Sequence, residues 1–238
     1  MSRPFVSVVT PTYKRREFLP ILIHLYQVQT YSADKRELII LDDSPTSNAD
    51  LIPKNDKSIR YIYQSEKMTL GEKRNKLNEL AKGDIVVCFD DDDYHYPERI
   101  TYSVFKLDQE KADIAGCTLI DIYYTDINKT YTFGPYGRNH GTNGTFAYRR
   151  KYFENHQYDN LKNAQEEPEF TNNWTEKMVN LDQNKTILCI SHDSNTYDKR
   201  NLLKQNQPRR EDTMKLNKKI KDKVYLQFLK ETSARMKL

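Results

Sequence analysis

The most constraining stretch of this chain is residues 84–93, where Asp84-Ile85-Val86-Val87-Cys88-Phe89 passes directly into four consecutive aspartates, Asp90 to Asp93. A short apolar run rich in β-branched residues reads as a buried strand. Four adjacent carboxylates repel one another and need a counter-charge. A divalent cation that prefers hard oxygen ligands, Mg²⁺ or Mn²⁺, is the natural one. Alternate residues of a strand face the same way, so Asp90 and Asp92 are expected on one side and Asp91 and Asp93 on the other. All four therefore cannot ligate one ion.

Strand-like and helix-like patterns alternate over the first 120 residues. Strands are expected at 5–9, 37–41, 59–63, 84–89 and 114–119. Helices are expected at 17–29 and 71–81, the second closed by Gly83, and Pro97 opens another. This alternation predicts an α/β fold with a doubly wound, mostly parallel sheet. Beyond Asp121 the pattern loosens into Tyr-rich hairpin or loop material, with turns marked by Gly134, Gly137, Gly141 and Gly144. A helix at 166–181 and a strand at 186–191 follow. Residues 213–236 place Leu216, Ile220, Val224, Phe228 and Leu229 at helical spacing. The expected organisation is one α/β domain over 1–200 and a basic, helical C-terminal extension over 201–238.

Charge is distributed unevenly. The net charge is +4, yet the chain from Lys199 onward carries 13 Lys/Arg against 4 Asp/Glu, about +9, leaving about −5 for the rest. An acidic body with a basic tail points to metal binding in the first and to anion or surface contact in the second. The polar face of the last helix, with Lys215, Lys218, Lys219, Lys221 and Lys223, suits an anionic membrane surface. Packing of its apolar stripe on the domain and pairing with a second subunit to form a homodimer are the alternatives. No stretch approaches eighteen consecutive apolar residues, and the start lacks the apolar core of a secretion signal. Cys88, Cys117 and Cys189 sit in or beside strand-like runs, and their odd number argues against a disulfide framework. The expectation is a soluble, cytoplasmic protein with reduced thiols.

In open α/β sheets, ligands bind beyond the carboxyl ends of the strands. Three polar clusters fall at such ends: Thr10-Pro11-Thr12-Tyr13, Asp42-Asp43 and the aspartate run. In addition, Gly71-Glu72-Lys73-Arg74-Asn75 puts two cations into the first turn of a helix, where the dipole favours anions. A bound phosphate would turn that penalty into attraction.

These residues also carry a resemblance. VSVVTPTYKR, the DD of LIILDDSP, GEKRNKLNELAKGDIVVCFDDDDYHYPERI and NAQEEPEF together resemble family 2 glycosyltransferases of the GT-A fold. The likeness covers roughly residues 4–200 and is most specific at 71–100. It implies a nucleotide-diphosphate sugar donor, with UDP favoured, and a Mn²⁺ or Mg²⁺ cofactor. The acceptor would be a hydroxyl on a glycan, a protein or a small molecule.

Carried over by position, Thr10, Pro11, Thr12 and Tyr13 resemble the loop that cradles the base, with Tyr13 stacking on uracil. Asp42 or Asp43 resembles the carboxylate that accepts from the pyrimidine N3–H. Arg74, with Lys73 beside it, resembles the basic group near base and diphosphate. Asp90 and Asp92 would form the D-x-D pair, Asp92 being the direct metal ligand, while Asp91 reaches the ribose. Glu167 resembles the general base. Glu166 remains an alternative, because the family has Glu-Asp where this chain has Glu-Glu. Gly144 closes a loop, 141–144, that would abut donor sugar and acceptor. His192 matches a late metal-ligating histidine, and Lys199 and Arg200 would close over the diphosphate.

The implied reaction is a single in-line displacement with inversion at the anomeric carbon. A sugar nucleotidyltransferase would carry a glycine-rich phosphate loop after the first strand, and TPTYKRR contains no glycine. A non-catalytic sugar-, nucleotide- or nucleic-acid-binding protein is disfavoured by an aspartate run that repels phosphates unless a metal neutralises it.

Overall fold

The computed structural model describes residues 3–205 and 208–235. Its strands are β1 (Val6–Thr12), β2 (Arg36–Asp42), β3 (Ile59–Tyr63), β4 (Ile85–Cys88), β5 (Tyr94–His95) and β6 (Ile114–Gly116). They continue with β7 (Ile120–Tyr124), β8 (Lys129–Phe133), β9 (Ala147–Arg149), β10 (Met178–Asn180), β11 (Ile187–Ser191) and β12 (Arg210–Asp212). The helices that matter for the site are α1 (Leu19–Gln27), α2 (Leu70–Leu80), α3 (Arg99–Gln109), α4 (Arg150–Phe153) and α5 (Glu167–Phe170). Three more, α6 (Arg200–Lys204), α7 (Leu216–Lys219) and α8 (Lys223–Arg235), lie toward the C-terminus.

The main sheet has seven strands in the order β10-β6-β9-β4-β1-β2-β3. β1, β2, β3 and β4 run parallel, and β9 enters antiparallel between β4 and β6. Alternation along each central strand explains the layering. Val6, Val8, Leu38, Ile40, Ile85 and Val87 share a core with Leu19 and Leu22 of α1 and Ile100 and Leu107 of α3. The intervening Val9, Ile39, Leu41, Val86 and Cys88 pack on the other face with Leu77 of α2, Tyr152 of α4 and Phe170 of α5. A sheet buried on both faces needs strands that are apolar throughout. The expected mostly parallel α/β architecture is therefore present.

A second sheet, β12-β8-β7-β11-β5, collects the Tyr-rich region into the β7–β8 hairpin and sets β11 parallel to β7. All three cysteines are buried free thiols. Among the described residues no helix is long and apolar enough to cross a membrane.

Several local expectations are corrected. Gly83 does not close α2, which ends at Leu80 with Ala81 already extended. Gly83 is needed because a Cβ there would collide with the backbone of Ser7 and Ile85. The helix expected at 166–181 shrinks to the single turn α5. Asn172, Asn173 and Trp174 follow in left-handed conformation (φ 47°, 54° and 64°), which cannot continue a right-handed helix. The short side chain of Asn tolerates that region better than most. Residues 178–180 then pair with β6 as a strand.

The last helix is also broken. Ile220 is extended and buried, and Asp222 restarts the helix by accepting from the backbone N–H of Tyr225 at 2.9 Å. The break moves the stripe by one position: Tyr225 and Leu229 are buried, whereas Val224 is 55% exposed. Tyr225 and Leu229 pack with Ile21 and Leu25 of α1 and Leu188 and Ile190 of β11. Lys219, expected on the polar face, is buried between Asp121 and Asp212 at 2.6 and 2.7 Å. The end of the expected helix, 236, lies outside the described residues.

Candidate active site

Parallel pairing of β1 with β2 and β4 brings three strand ends to one edge, with Thr12 opposite Asp42 and Val9 opposite Cys88. β4 stops at Cys88, so the aspartates occupy a turn and lose the two-residue alternation expected of them. Asp91 and Asp92 consequently meet the same cation. The guanidinium of Arg15 lies 2.5 Å from Asp92 and 3.9 Å from Asp91. Asp91 also accepts from the Thr12 hydroxyl at 2.6 Å. Asp93 turns inward, accepting from the Ile190 N–H at 2.8 Å with Lys199 3.8 Å away. Asp90 points elsewhere, toward Arg74 at 3.5 Å and the backbone of Gly144.

Crowding four carboxylates forces them apart in proton affinity. Burial, followed by the charge of Asp92, raises Asp91 to about 7. Burial also dominates at Asp93 and raises it, against the pull of Lys199. At Asp92 burial is outweighed by Lys199, the His192 hydrogen bond and Arg15, so it stays well below the ordinary carboxylate range. Asp92 is thus the carboxylate of the run whose proton affinity is lowered, whereas those of Asp90, Asp91 and Asp93 are raised, by burial first.

His192 Nε2 stands 3.2 Å from Asp92 Oδ2 and 3.0 Å from the Asn195 amide nitrogen. Burial is the main cause that lowers its pKa, so the imidazole is neutral at pH 7 and able to donate a lone pair. A carboxylate oxygen and a neutral imidazole that close together fit a divalent cation, and Arg15 stands as the cation on Asp92. Asp90 does not join them. Among the described residues there is no group of three or more His, Cys, Asp or Glu side chains placed to hold a metal ion.

The base-side residues are tied together more tightly than expected. Asp42 is fully buried and accepts from Tyr61 Oη (2.6 Å), Asn48 Nδ2 (2.8 Å) and Ser44 N–H (2.9 Å). Asp43 accepts from Lys73 Nζ and the Met68 N–H, both at 2.7 Å, which leaves acceptor capacity free. Lys73 therefore spends its charge on Asp43, and Arg74 spends its own on Glu166 at 2.6 Å. Both cations of the first turn are compensated by carboxylates, so no phosphate is needed to relieve them. The helix start is further secured by a Thr69–Glu72 capping box. Tyr13 is half-buried, with Lys67 Nζ 4.3 Å from its ring centroid. Pro11 is buried, and the buried Thr10 hydroxyl has no partner among the described residues.

The two glutamates differ sharply. Glu166 is buried against Arg74, whereas Glu167 is half-buried and accepts the Asn143 N–H at 3.1 Å. Burial and then the charge of Glu166 raise the Glu167 pKa. The neighbouring Gly144 has no room for a side chain, since a Cβ would collide with Asp90 Oδ2. That atom ends a side chain, so Gly144→Ala should leave the melting temperature within a few degrees while pushing Asp90 aside. Calorimetry paired with nucleotide-sugar titration checks this, and unchanged ligand binding would place Asp90 outside the donor site.

Lys199 is not a free cation, for its ammonium also donates to the Ile190 carbonyl at 2.9 Å. Arg200 lies apart, half exposed and paired with Asp198 and Asp193. The site also contains residues that sequence reasoning missed: Arg15, Asn195 and Phe18, whose ring stacks on His192 at 4.9 Å. Arg15 was one of three consecutive cations, Lys14, Arg15 and Arg16, and nothing local distinguished the buried one.

Comparison with known proteins identifies the family and the fold. The family model for glycosyl transferase family 2 matches residues 7–164. An uncharacterized glycosyltransferase of Methanocaldococcus jannaschii is 32% identical over 54% of this chain and 45% of its own length. The chain spans between a third and a half, 37–45%, of the curated relatives it matches. Among solved structures, S. aureus TarS 1-349 in complex with UDP-GlcNAc superposes with a TM-score of 0.63 at 16% identity, covering 80% of this chain and 60% of TarS 1-349. The mannosyltransferase PcManGT of Pyrobaculum calidifontis, in complex with GDP-Man and Mn²⁺, gives 0.62 at 16% identity over 80% of this chain and 57% of its own. These structures share the fold, and the family match extends over most of the chain: this protein is a member of glycosyl transferase family 2.

Proposed function

We propose that this protein transfers a sugar from a nucleotide diphosphate, preferably a UDP-sugar, to an acceptor hydroxyl with inversion. The observation that carries the reading is the bridge made by Arg74, which joins Asp90 on the donor side to Glu166, next to Glu167. One guanidinium thus couples the strand-end aspartates to the carboxylate pair. In this reading Tyr13 and the Thr10–Thr12 segment face the base, with Asp43 as acceptor for its N–H. Asp91 takes the ribose, and Gly144 borders the transferred sugar.

Glu167 takes the proton of the acceptor hydroxyl as its oxygen attacks the anomeric carbon and the bond to the diphosphate breaks. Its raised proton affinity suits that role, because a base works best with a pKa near the working pH. Asp92 and His192, with Asp90 drawn in from Arg74, would hold Mn²⁺ or Mg²⁺, which supplies positive charge to the leaving diphosphate. Lys199 tunes Asp92 and Asp93 instead of reaching the diphosphate itself, and Arg200 is left as the outer cation of that loop. Residues 1–200 carry this chemistry, and residues 201–238 brace it through Phe228 of α8, which packs edge-on against Phe18 at 5.6 Å.

A thermal-shift screen of nucleotide-sugars, each with and without Mn²⁺, tests the reading. A ligand at a hundred times its Kd stabilises by about 2.7 kcal/mol, which raises the melting temperature of a chain this size by roughly 5–10 °C. The expected result is a shift that needs both Mn²⁺ and one nucleotide-sugar. No shift with any nucleotide would remove the donor site, and a shift indifferent to Mn²⁺ would remove the metal from the reading.

A further inference from the structure

Arg15 has no place in the reaction described above, yet it makes the shortest ionic contact in the site, 2.5 Å to Asp92 Oδ2. Its side chain is only 9% exposed, and Phe18 covers it with the ring centroid 5.4 Å from the guanidinium carbon. The same Phe18 ring stacks on His192, so the cation, the carboxylate and the imidazole form one packed group. Asn195 also donates to Asp92 Oδ2, at 2.9 Å. A divalent cation that takes this oxygen must therefore displace donors already in place. It would also stand beside a guanidinium of like charge, held in a buried setting where solvent screens poorly.

We infer that Arg15 is an exchangeable counter-cation of the aspartate run, one that holds Asp92 in position and competes with the divalent ion for it. Arg15 is thus a positioning residue, and it sets how tightly metal binds. The inference rests on the metal reading above. It accounts for two features together: a strand end with four carboxylates that folds with its charge neutralised, and a carboxylate–imidazole pair whose cation is a side chain. An arginine suits the task because its guanidinium reaches Asp92 through Nη1 while standing within 4 Å of Asp91, and it keeps its charge at any working pH.

The test is Mn²⁺ binding without nucleotide, read from the loss of the free aqueous Mn²⁺ signal in electron paramagnetic resonance. Arg15→Gln should bind Mn²⁺ at least tenfold more tightly than the wild type and should melt at a lower temperature until Mn²⁺ is added. Adding Asp92→Asn to Arg15→Gln should erase the gain. Arg15→Lys, which keeps the charge and loses the fork, should fall between and serves as the folded control if the glutamine variant fails to fold. Equal or weaker Mn²⁺ affinity in a variant that melts cooperatively overturns the inference while leaving the metal reading intact. Failure of wild type and variants alike to bind Mn²⁺, with nucleotide-sugar still raising the melting temperature, overturns both and makes Arg15 a permanent partner of Asp92.

Discussion

Glu167→Gln should lower kcat by about 10² to 10⁴, the usual contribution of a positioned general base, while nucleotide-sugar affinity stays within about threefold of the wild type. The substitution keeps the shape and an acceptor for the Asn143 N–H, so the fold has no reason to change. The pH profile gives a second readout. Burial and Glu166 raise the Glu167 pKa, so the deprotonated base is available only above a value higher than that of a free glutamate. The acidic limb of kcat/KM should lie correspondingly high in the wild type and disappear in Glu167→Gln. Glu166→Gln should behave differently. It frees Arg74, buried and held at 2.6 Å, and should weaken donor binding and stability together. If Glu166→Gln loses only kcat and Glu167→Gln retains activity, the two roles are exchanged.

The largest effect on stability is expected from Lys219→Met. The Lys219 ammonium lies 2.6 Å from Asp121 and 2.7 Å from Asp212, with side-chain exposures of 2%, 3% and 15%. Removing one partner of a buried ion pair strands the other charges and costs about 3–5 kcal/mol. For a chain of this length that is a fall of roughly 6–20 °C in melting temperature. Asp121 sits in the central strand β7 and Asp212 in the edge strand β12, with β8 between them, so the loss should also loosen β12 from β8. Urea denaturation compares Lys219→Met with the triple variant that adds Asp121→Asn and Asp212→Asn. The triple variant should recover much of the loss, because neutral amides no longer need a counter-charge. Equal stability of Lys219→Met and wild type would show that water, and not Lys219, compensates these aspartates.

Residues 216–229 show why this lysine was not legible in the sequence. Helical spacing of Leu216, Ile220, Val224 and Phe228 assigns Lys219 to a wet face. The approach of Asp121, 98 residues earlier in the chain, together with Asp212, makes burial of the ammonium favourable where the helix stops at Ile220. Arg15 and Asp92, 77 residues apart, present the same problem. Which of three consecutive cations is buried depends on where the turn after β4 aims its carboxylates.

What the sequence determined by itself was the frame and its active edge. Uninterrupted apolar strands such as 38–41 and 85–88 can be stable only if both faces are covered. Parallel strands then deliver their carboxyl ends, with Thr12, Asp42 and Asp90–Asp93, to a single side. Period and polarity are local properties, so they can be read locally. The tertiary structure alone decided which charges were spent on one another: Lys73 on Asp43, Arg74 on Glu166, Lys199 on Asp93 and Arg15 on Asp92. Such pairings depend on distances of a few ångströms between segments remote in the chain, and Coulomb energies in a buried site change steeply over that range.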